Sequence, residues 1–283
     1  MKKVKILVCC HKKDLMLDVD PYFPIHVGKN NSDLEMNMQG DNTGDNISSK
    51  NYSYCELTAM YWAWKNMKDI DYIGLCHYRR YFDFHNNTSA FRSSSTMKSS
   101  DFNNVDFSIP SNVMDFVAKG GVVLAKHQIY RCSNFMEYCC YHISDDMRVL
   151  KTVIDEHCEI KYADAFTEVM LRENHLCPFN MFIMKKSDFD RYCEWLFSLL
   201  FEVEKQIDIS AYSPYQSRIF GFMAERLLNV YMKAEGKQVM EKPILFFNDK
   251  DDLKNTTMLK NLINKVRADL SFMFIKPKKN AKM

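Results

Sequence analysis

Residues 72–82, YIGLCHYRRYF, are the part of this sequence that most narrows what the chain can fold into. Residues 72–76 form an apolar run with one glycine, entered from the turn-like Lys68-Asp69-Ile70-Asp71, and read as a short buried strand. The run ends in His77-Tyr78-Arg79-Arg80, four residues dense in hydrogen-bond donors, followed by two aromatics. Residues 4–9 repeat the pattern, closing on Cys10-His11-Lys12-Lys13. Strands without polar alternation belong to parallel sheets covered on both faces, so the two runs predict an α/β domain. In open α/β sheets ligands bind beyond the carboxyl ends of the strands. His11, Lys12, His77, Tyr78, Arg79 and Arg80 therefore predict one crevice for an anionic ligand, because guanidinium forks match phosphate oxygens. The competing reading is an arginine pair salt-bridged on the surface.

Composition removes several classes. With 283 residues, 47% apolar and 26% charged, the chain has ample core for one large domain or two small ones. A formal charge of +2 lacks the basic excess of a nucleic-acid binder, so no such partner is expected. None of the ten cysteines has C-x-x-C spacing and most sit in apolar settings, which predicts free, buried thiols in a reducing compartment. The apolar run at 4–9 is too short for a signal sequence, and no stretch approaches ~20 apolar residues, so a cytoplasmic protein is expected.

Between the two strands, residues 29–51 are polar and contain a near-repeat, Gly40-Asp41-Asn42-Thr43-Gly44-Asp45-Asn46. Gly, Asn and Asp tolerate left-handed backbone, so a doubled GDN can present several N–H groups to an anion or a sugar hydroxyl. A solvated loop explains the same composition equally well, while a calcium loop lacks the EF-hand spacing and its terminal Glu. Residues 53–67 read as a helix, Ser53 and Glu56 having capping-box spacing and Tyr54, Leu57, Tyr61 and Trp64 forming a stripe that reads as core.

Further along, 85–104 reads as a loop or a mobile flap, and 113–118 as helical before a strand at 122–125. Helices are expected near 134–141, 145–157 and 163–172, then a strand at 179–184 with Asn180 near its start. Two more helices, 187–201 and 215–232, precede a last strand at 243–247, the second carrying Gln216, Arg218, Glu225 and Arg226. The tail after Asn248 is rich in Lys and Asn. Its segment Phe272-Met273-Phe274-Ile275-Lys276-Pro277-Lys278-Lys279 suits either an anionic membrane surface or a solvated terminus with one docked patch.

The segments KILVCCHK, GDNTGDNIS, YCELTAMYWAWKN, YIGLCHYRRYF, PFNMFIMKK and YSPYQSRIFGFMAERLLNVY, in this order, resemble the bacterial family catalogued as domain of unknown function 4422. That family occurs in capsule and O-antigen loci and is associated with galactofuranosyltransferase activity. The resemblance implies a GT-A-like (Rossmann-like) α/β fold, a mixed, mostly parallel sheet flanked by helices, over residues 1–248, with a helical, basic tail over 249–283. It also implies a UDP-sugar donor, UDP-galactofuranose foremost, and a polysaccharide or lipid-linked oligosaccharide acceptor at the cytoplasmic face of the inner membrane. Transfer would be an inverting displacement at the anomeric carbon.

The resemblance assigns residues as well. Asn180 resembles the GT-A asparagine that reads sugar hydroxyls, and Glu225 and Asp208 are the candidates for the base, with an Arg226 ion pair as the alternative for Glu225. Asp41, Asn42, Gly44, Asp45, Asn46, Gln216 and Arg218 are expected to join the strand-end residues around the nucleotide-sugar. One departure bears on cofactors. GT-A enzymes usually place a metal-holding Asp-x-Asp where this chain has His77-Tyr78-Arg79. Arginine can neutralise a departing diphosphate, so no cofactor is expected and a divalent metal, with His77 as its ligand, is not favoured. The rival class is a non-catalytic nucleotide-sugar-binding or scaffold protein of a polysaccharide assembly complex.

Overall fold

Both apolar runs are strands. In the computed structural model, which describes residues 2–89, 92–249 and 258–275, the first run is β1 (Val4–Cys10), followed by β2 (Tyr22–His26) and β3 (Gln39–Gly40). Two short helices, α1 (Asn51–Tyr54) and α2 (Leu57–Asn66), lead into the second run, β4 (Tyr72–His77), which reverses at once into β5 (Arg80–Phe82). Next come β6 (Ser94–Met97), α3 (Ser111–Ala118), β7 (Val122–Ala125) and β8 (Gln128–Ile129). Three helices follow, α4 (Asn134–Tyr141), α5 (Ser144–His157) and α6 (Ile160–Thr167), then β9 (His175–Leu176) and β10 (Phe182–Lys185). The described chain closes with α7 (Lys186–Glu204), α8 (Ile219–Ala234), β11 (Val239–Lys242), β12 (Ile244–Phe247) and α9 (Met258–Ile275).

The main sheet runs β11-β7-β10-β4-β1-β2-β3. Its pairings are parallel except around β10, which is antiparallel to both β4 and β7. The result is the expected mixed, mostly parallel sheet. Register brings Cys9 of β1 beside His77 of β4, so the two donor-rich strand ends share one edge. Because β10 runs the other way, the segment just before it, Phe179 to Met181, arrives at that same edge.

Both faces of the sheet are covered, which is why β1 and β4 show no polar alternation. Leu7, Cys9, Ile73 and Leu75 pack with Leu57, Met60, Leu196 and Leu227 on one side. On the other, Ile6, Val8 and Cys76 pack with Tyr81, Phe102, Val113 and Phe247. Gly74 is the glycine the sheet cannot replace: a Cβ there would lie 2.6 Å from Ile6 Cδ1 and 2.8 Å from the Phe182 carbonyl oxygen.

Several expectations need correction. The 53–67 helix is two helices, broken where Cys55 adopts φ 52°, ψ −130°; Ser53 Oγ donates to the Lys50 carbonyl rather than capping α2. The 85–104 region is not simply a loop or flap, since β6 pairs in parallel with β12 and a 3₁₀ segment covers Ser99–Asn104. The helix expected at 163–172 starts earlier, as α6, and ends in a π-helical turn over Glu168–Arg172. The expected strand at 179–184 begins only at Phe182, because Phe179 and Asn180 have left-handed backbone.

All ten cysteines are free thiols, but only Cys9, Cys10, Cys76, Cys177 and Cys193 are buried and Cys140 is exposed. Among the described residues no helix is long and apolar enough to cross a membrane. In the tail segment singled out for membrane contact, Phe272 is buried and Met273 exposed, while Lys276, Pro277, Lys278 and Lys279 lie outside the described residues.

Candidate functional site

At the shared strand edge, the ends of β1 and β4, the α1–α2 break, the segment before β10 and the start of α8 enclose a cleft of about 690 Å³. Its cationic wall comes from the β4–β5 reversal, where His77 pairs across to Arg80. Arg80 is held between the rings of Phe179 and Phe246, 4.7 and 5.3 Å from their centroids. Burial pulls its pKa below the ordinary guanidinium value, with Glu56 and Glu225 opposing. Arg218, ahead of α8, donates from Nε to Cys55 Sγ at 3.3 Å and lies over Phe222. Among the described residues neither arginine makes an ion pair. Arg79 does: its Nε and Nη2 grip Asp14 at 3.0 and 2.7 Å.

The two histidines are not charged partners of the arginines. His77 Nε2 donates to the Phe179 carbonyl at 2.8 Å; burial and the neighbouring Arg80 push its pKa down to about 3, so it is neutral near pH 7. His11 meets Tyr78 edge-on at 5.2 Å and is shifted down by burial and by Lys12.

Two carboxyl groups line the cleft. Glu225 Oε1 accepts from the Phe179 N–H at 3.3 Å and Oε2 from Arg226 Nη1 at 3.0 Å, and its side chain is 23% exposed, all that opens it to ligand. Arg226 also reaches Glu137 at 3.0 Å. Glu56 accepts from Asn180 Nδ2 at 2.7 Å. Burial raises both carboxyl pKa values, against the Asn180 hydrogen bond at Glu56 and the Arg226 charge at Glu225. Strained backbone gathers here too: Cys55, Phe179 and Asn180 have positive φ without being glycine. Such residues cost about 1–3 kcal/mol each and persist where the surroundings over-determine them, often at functional sites.

The cleft thus brings together His11, His77, Tyr78, Arg79, Arg80, Arg218 and Glu225 of the expected residues. Others lie elsewhere. Lys12 is exposed at the rim, 3.7 Å from Asp14 and over the Tyr78 ring. Asn180 is buried behind the lining, where it holds Glu56 and donates to the Gly221 carbonyl at 3.3 Å.

The GDN loop is outside the cleft, contrary to its expected role. Asp41 is fully buried and accepts from the Gly28 and Lys29 N–H groups and from Ser48 Oγ. Asp45 binds Tyr61 Oη at 3.2 Å, Gly44 packs at Asn66, and Asn46 bonds the backbone of Gly44 and Ser48. Asn42 is exposed beside them. The loop's polar groups therefore fasten it to α2 and to its own backbone. Gln216 donates to the Tyr141 carbonyl at 2.8 Å, away from the lining. Asp208 is exposed and caps the Ser210 N–H at 2.9 Å, which removes it as a candidate base.

Glu56 is the lining residue the sequence reading misplaced. It was legible only as the fourth residue of a capping box, and that pattern accounts for a glutamate without a site. Cys55, Phe179 and Phe246 carried no polar signal at all. Among the described residues no three His, Cys, Asp or Glu side chains come together to hold a metal ion.

The chain belongs to the family described as Domain of unknown function (DUF4422), whose model matches residues 5–237. Among solved structures it is similar to one titled as the apo structure of the WbbM bifunctional glycosyltransferase, with TM-score 0.77 and 30% identity. That likeness covers 88% of this chain but 46% of the other, so this chain spans a little under half of that protein. No curated protein sequence matches the chain. With the sheet order above, the likeness identifies a GT-A-like α/β fold.

Proposed function

We propose that this chain is a glycosyltransferase that takes a UDP-sugar donor into the cleft and transfers the sugar to a hydroxyl of a surface polysaccharide or lipid-linked oligosaccharide. Galactofuranose is the favoured sugar, on the family's association with that activity. The observation that carries the reading is the pair of guanidinium groups, Arg80 and Arg218, that face one cleft without a carboxylate partner. Arg80 is half-buried and Arg218 exposed, and neither fork is taken up by a carboxylate, so both are left to bind the oxygens of an anionic ligand. The likeness to a protein named as a glycosyltransferase supports the same class.

In the reaction, the acceptor oxygen attacks the anomeric carbon and inverts it, a carboxylate takes the hydroxyl proton, and the bond to the diphosphate breaks with its electron pair leaving on UDP. Negative charge builds on the departing diphosphate. Arg80, pre-oriented between two rings, and Arg218 supply fixed positive charge there, which stabilises the transition state without a divalent cation. Working on an acceptor that is lipid-linked would place the protein at the cytoplasmic face of the inner membrane.

The test is a product assay with UDP-galactofuranose and UDP-galactopyranose, with and without excess EDTA. Transfer from one donor that survives EDTA with at most a modest loss is expected. UDP binding without transfer to any glycan acceptor would favour a scaffold protein. Loss with EDTA and rescue by manganese or magnesium would overturn metal independence.

A further inference from the structure

We propose that Glu56 is the catalytic base that deprotonates the acceptor hydroxyl, and that Asn180 is the residue that positions it; this rests on the transferase reading above. Two carboxyl groups reach the cleft, and their partners separate their roles. Glu225 is tied to Arg226 at 3.0 Å and to the Phe179 N–H at 3.3 Å. Both Glu225 oxygens are thus engaged, Oε1 by the Phe179 N–H and Oε2 by Arg226, which leaves neither turned to an acceptor hydroxyl. Glu56 makes no ion pair among the described residues. Its hydrogen bonds come from the neutral Asn180 amide at 2.7 Å and from its own backbone N–H. A neutral donor fixes the direction of a carboxylate without cancelling its charge, which is what a base requires.

The surroundings are built for that one carboxyl. The helix that would have run from residue 51 to 66 breaks at Cys55, whose φ of 52° and ψ of −130° suit glycine. Asn51 Nδ2 holds the break by donating to the Cys55 carbonyl at 2.7 Å and to Thr58 Oγ1 at 3.1 Å. Glu56 therefore stands at a corner between helices and faces the cleft. Asn180 also occupies a left-handed conformation, is 1% exposed, and bridges Glu56 to the Gly221 carbonyl of α8. Its Oδ1 has no partner in the described structure. A buried amide kept strained and half-satisfied needs a reason, and holding Glu56 supplies one. Burial raises the Glu56 pKa and so strengthens it as a base.

The step balances. As the acceptor oxygen bonds to the anomeric carbon, its proton moves to Glu56. The carbon–oxygen bond to the diphosphate breaks, and its electron pair leaves with UDP beside Arg80 and Arg218. Glu56, now a carboxylic acid, returns the proton to solvent.

The groups around Glu56 that can change its titration are Arg80, Arg218, Glu225, His77, Cys55 and Cys9, all on the cleft wall, and Tyr192 on α7. Asn180 does not titrate and acts only through its hydrogen bond, which lowers the Glu56 pKa. Removing that bond therefore moves the acid limb of the kcat–pH profile to higher pH. Asn180→Gly is the suitable variant, because glycine accepts the left-handed backbone that alanine would strain.

The experiment measures transfer with a UDP-sugar that the wild-type protein uses, together with UDP affinity by titration calorimetry. Glu56→Gln, which keeps the acceptor for Asn180, is expected to bind UDP within about twofold of wild type and to lose ~10²–10⁴-fold in kcat, the usual worth of a general base. Asn180→Gly is expected to lower kcat more than it alters KM and to shift the acid limb upward. Glu56→Gln retaining transfer within tenfold, or Glu225→Gln abolishing transfer that Glu56→Gln spares, overturns the assignment of the base. An acid limb unmoved in Asn180→Gly overturns the positioning role. A wild-type protein that transfers from no UDP-sugar overturns the transferase reading itself, which the wild-type assay reports before any variant is made.

Discussion

The two arginines at the β4–β5 end, Arg79 and Arg80, look equivalent in sequence, and the structure makes them unequal. Arg79 has its charge matched by Asp14, whereas Arg80 and Arg218 have aromatic or thiol neighbours and no ion pair among the described residues. A hydrogen bond to a charged group is worth about 1.5–3 kcal/mol, so Arg80→Ala and Arg218→Ala should each weaken UDP binding ~10–100-fold. Arg79→Ala should weaken it less, since Asp14 already takes that guanidinium. Calorimetric titration of the three variants with UDP checks the ranking, and equal losses would contradict it. The arginines were legible because strand ends in α/β sheets have a known use. Glu56 was not, because Ser-x-x-Glu before an apolar run has an ordinary explanation as a helix cap. Asp41 and Asp45 were misplaced for a related reason: Asx residues that hold a ligand and Asx residues that hold their own loop look alike until the partners Ser48 and Tyr61 are known.

At the level of elements, what could be read was above all whatever is buried on both faces. β1, β4 and β7 are apolar but for Lys5 and His77 and were located to within a residue, as were α4 and α5, which are buried on one face only. β11, Val-Met-Glu-Lys, went unread because it is an edge strand with exposed or half-buried side chains, its Glu241 hydrogen-bonded to His127. The break between α1 and α2 went unread because nothing in Tyr-Cys-Glu-Leu demands it; the local Asn51 side chain and the distant Asn180 hold it. Gly74 belongs to this scale, as the place where β4 leaves no room for a Cβ between Ile6 of β1 and Phe182 of β10. Gly74→Ala would press a methyl on the Ile6 side chain and on the Phe182 carbonyl oxygen, which as backbone cannot swing aside. Overpacking of this kind costs about 1–3 kcal/mol. Chemical denaturation of Gly74→Ala should show that loss of stability, and an unchanged midpoint would mean the three strands are looser than drawn.

Across the whole molecule, the site and the fold pull in opposite directions. Burial raises the pKa values of Glu56 and Glu225, so the folded chain holds their protons more tightly than the unfolded chain does. Their stabilising contribution is therefore complete below the ordinary carboxylate range and is lost as pH rises through the raised values. Glu56→Gln removes one such group, so its melting temperature relative to wild type should rise between pH 4.5 and pH 7.5. Thermal melts at the two pH values check this, and a relative fall would show that Glu56 is stabilised as the anion.

The last consequence comes from β12, where Phe246 faces Arg80 across an antiparallel ladder. The family match ends at residue 237, so a fragment cut at that border would carry every cleft residue except the ring that closes over Arg80. It would also lose the Phe247 N–H that bonds the Arg79 carbonyl. The region shared with relatives and the smallest piece able to keep a complete cleft are thus different lengths, and expression borders drawn from the family match would open the site on one side.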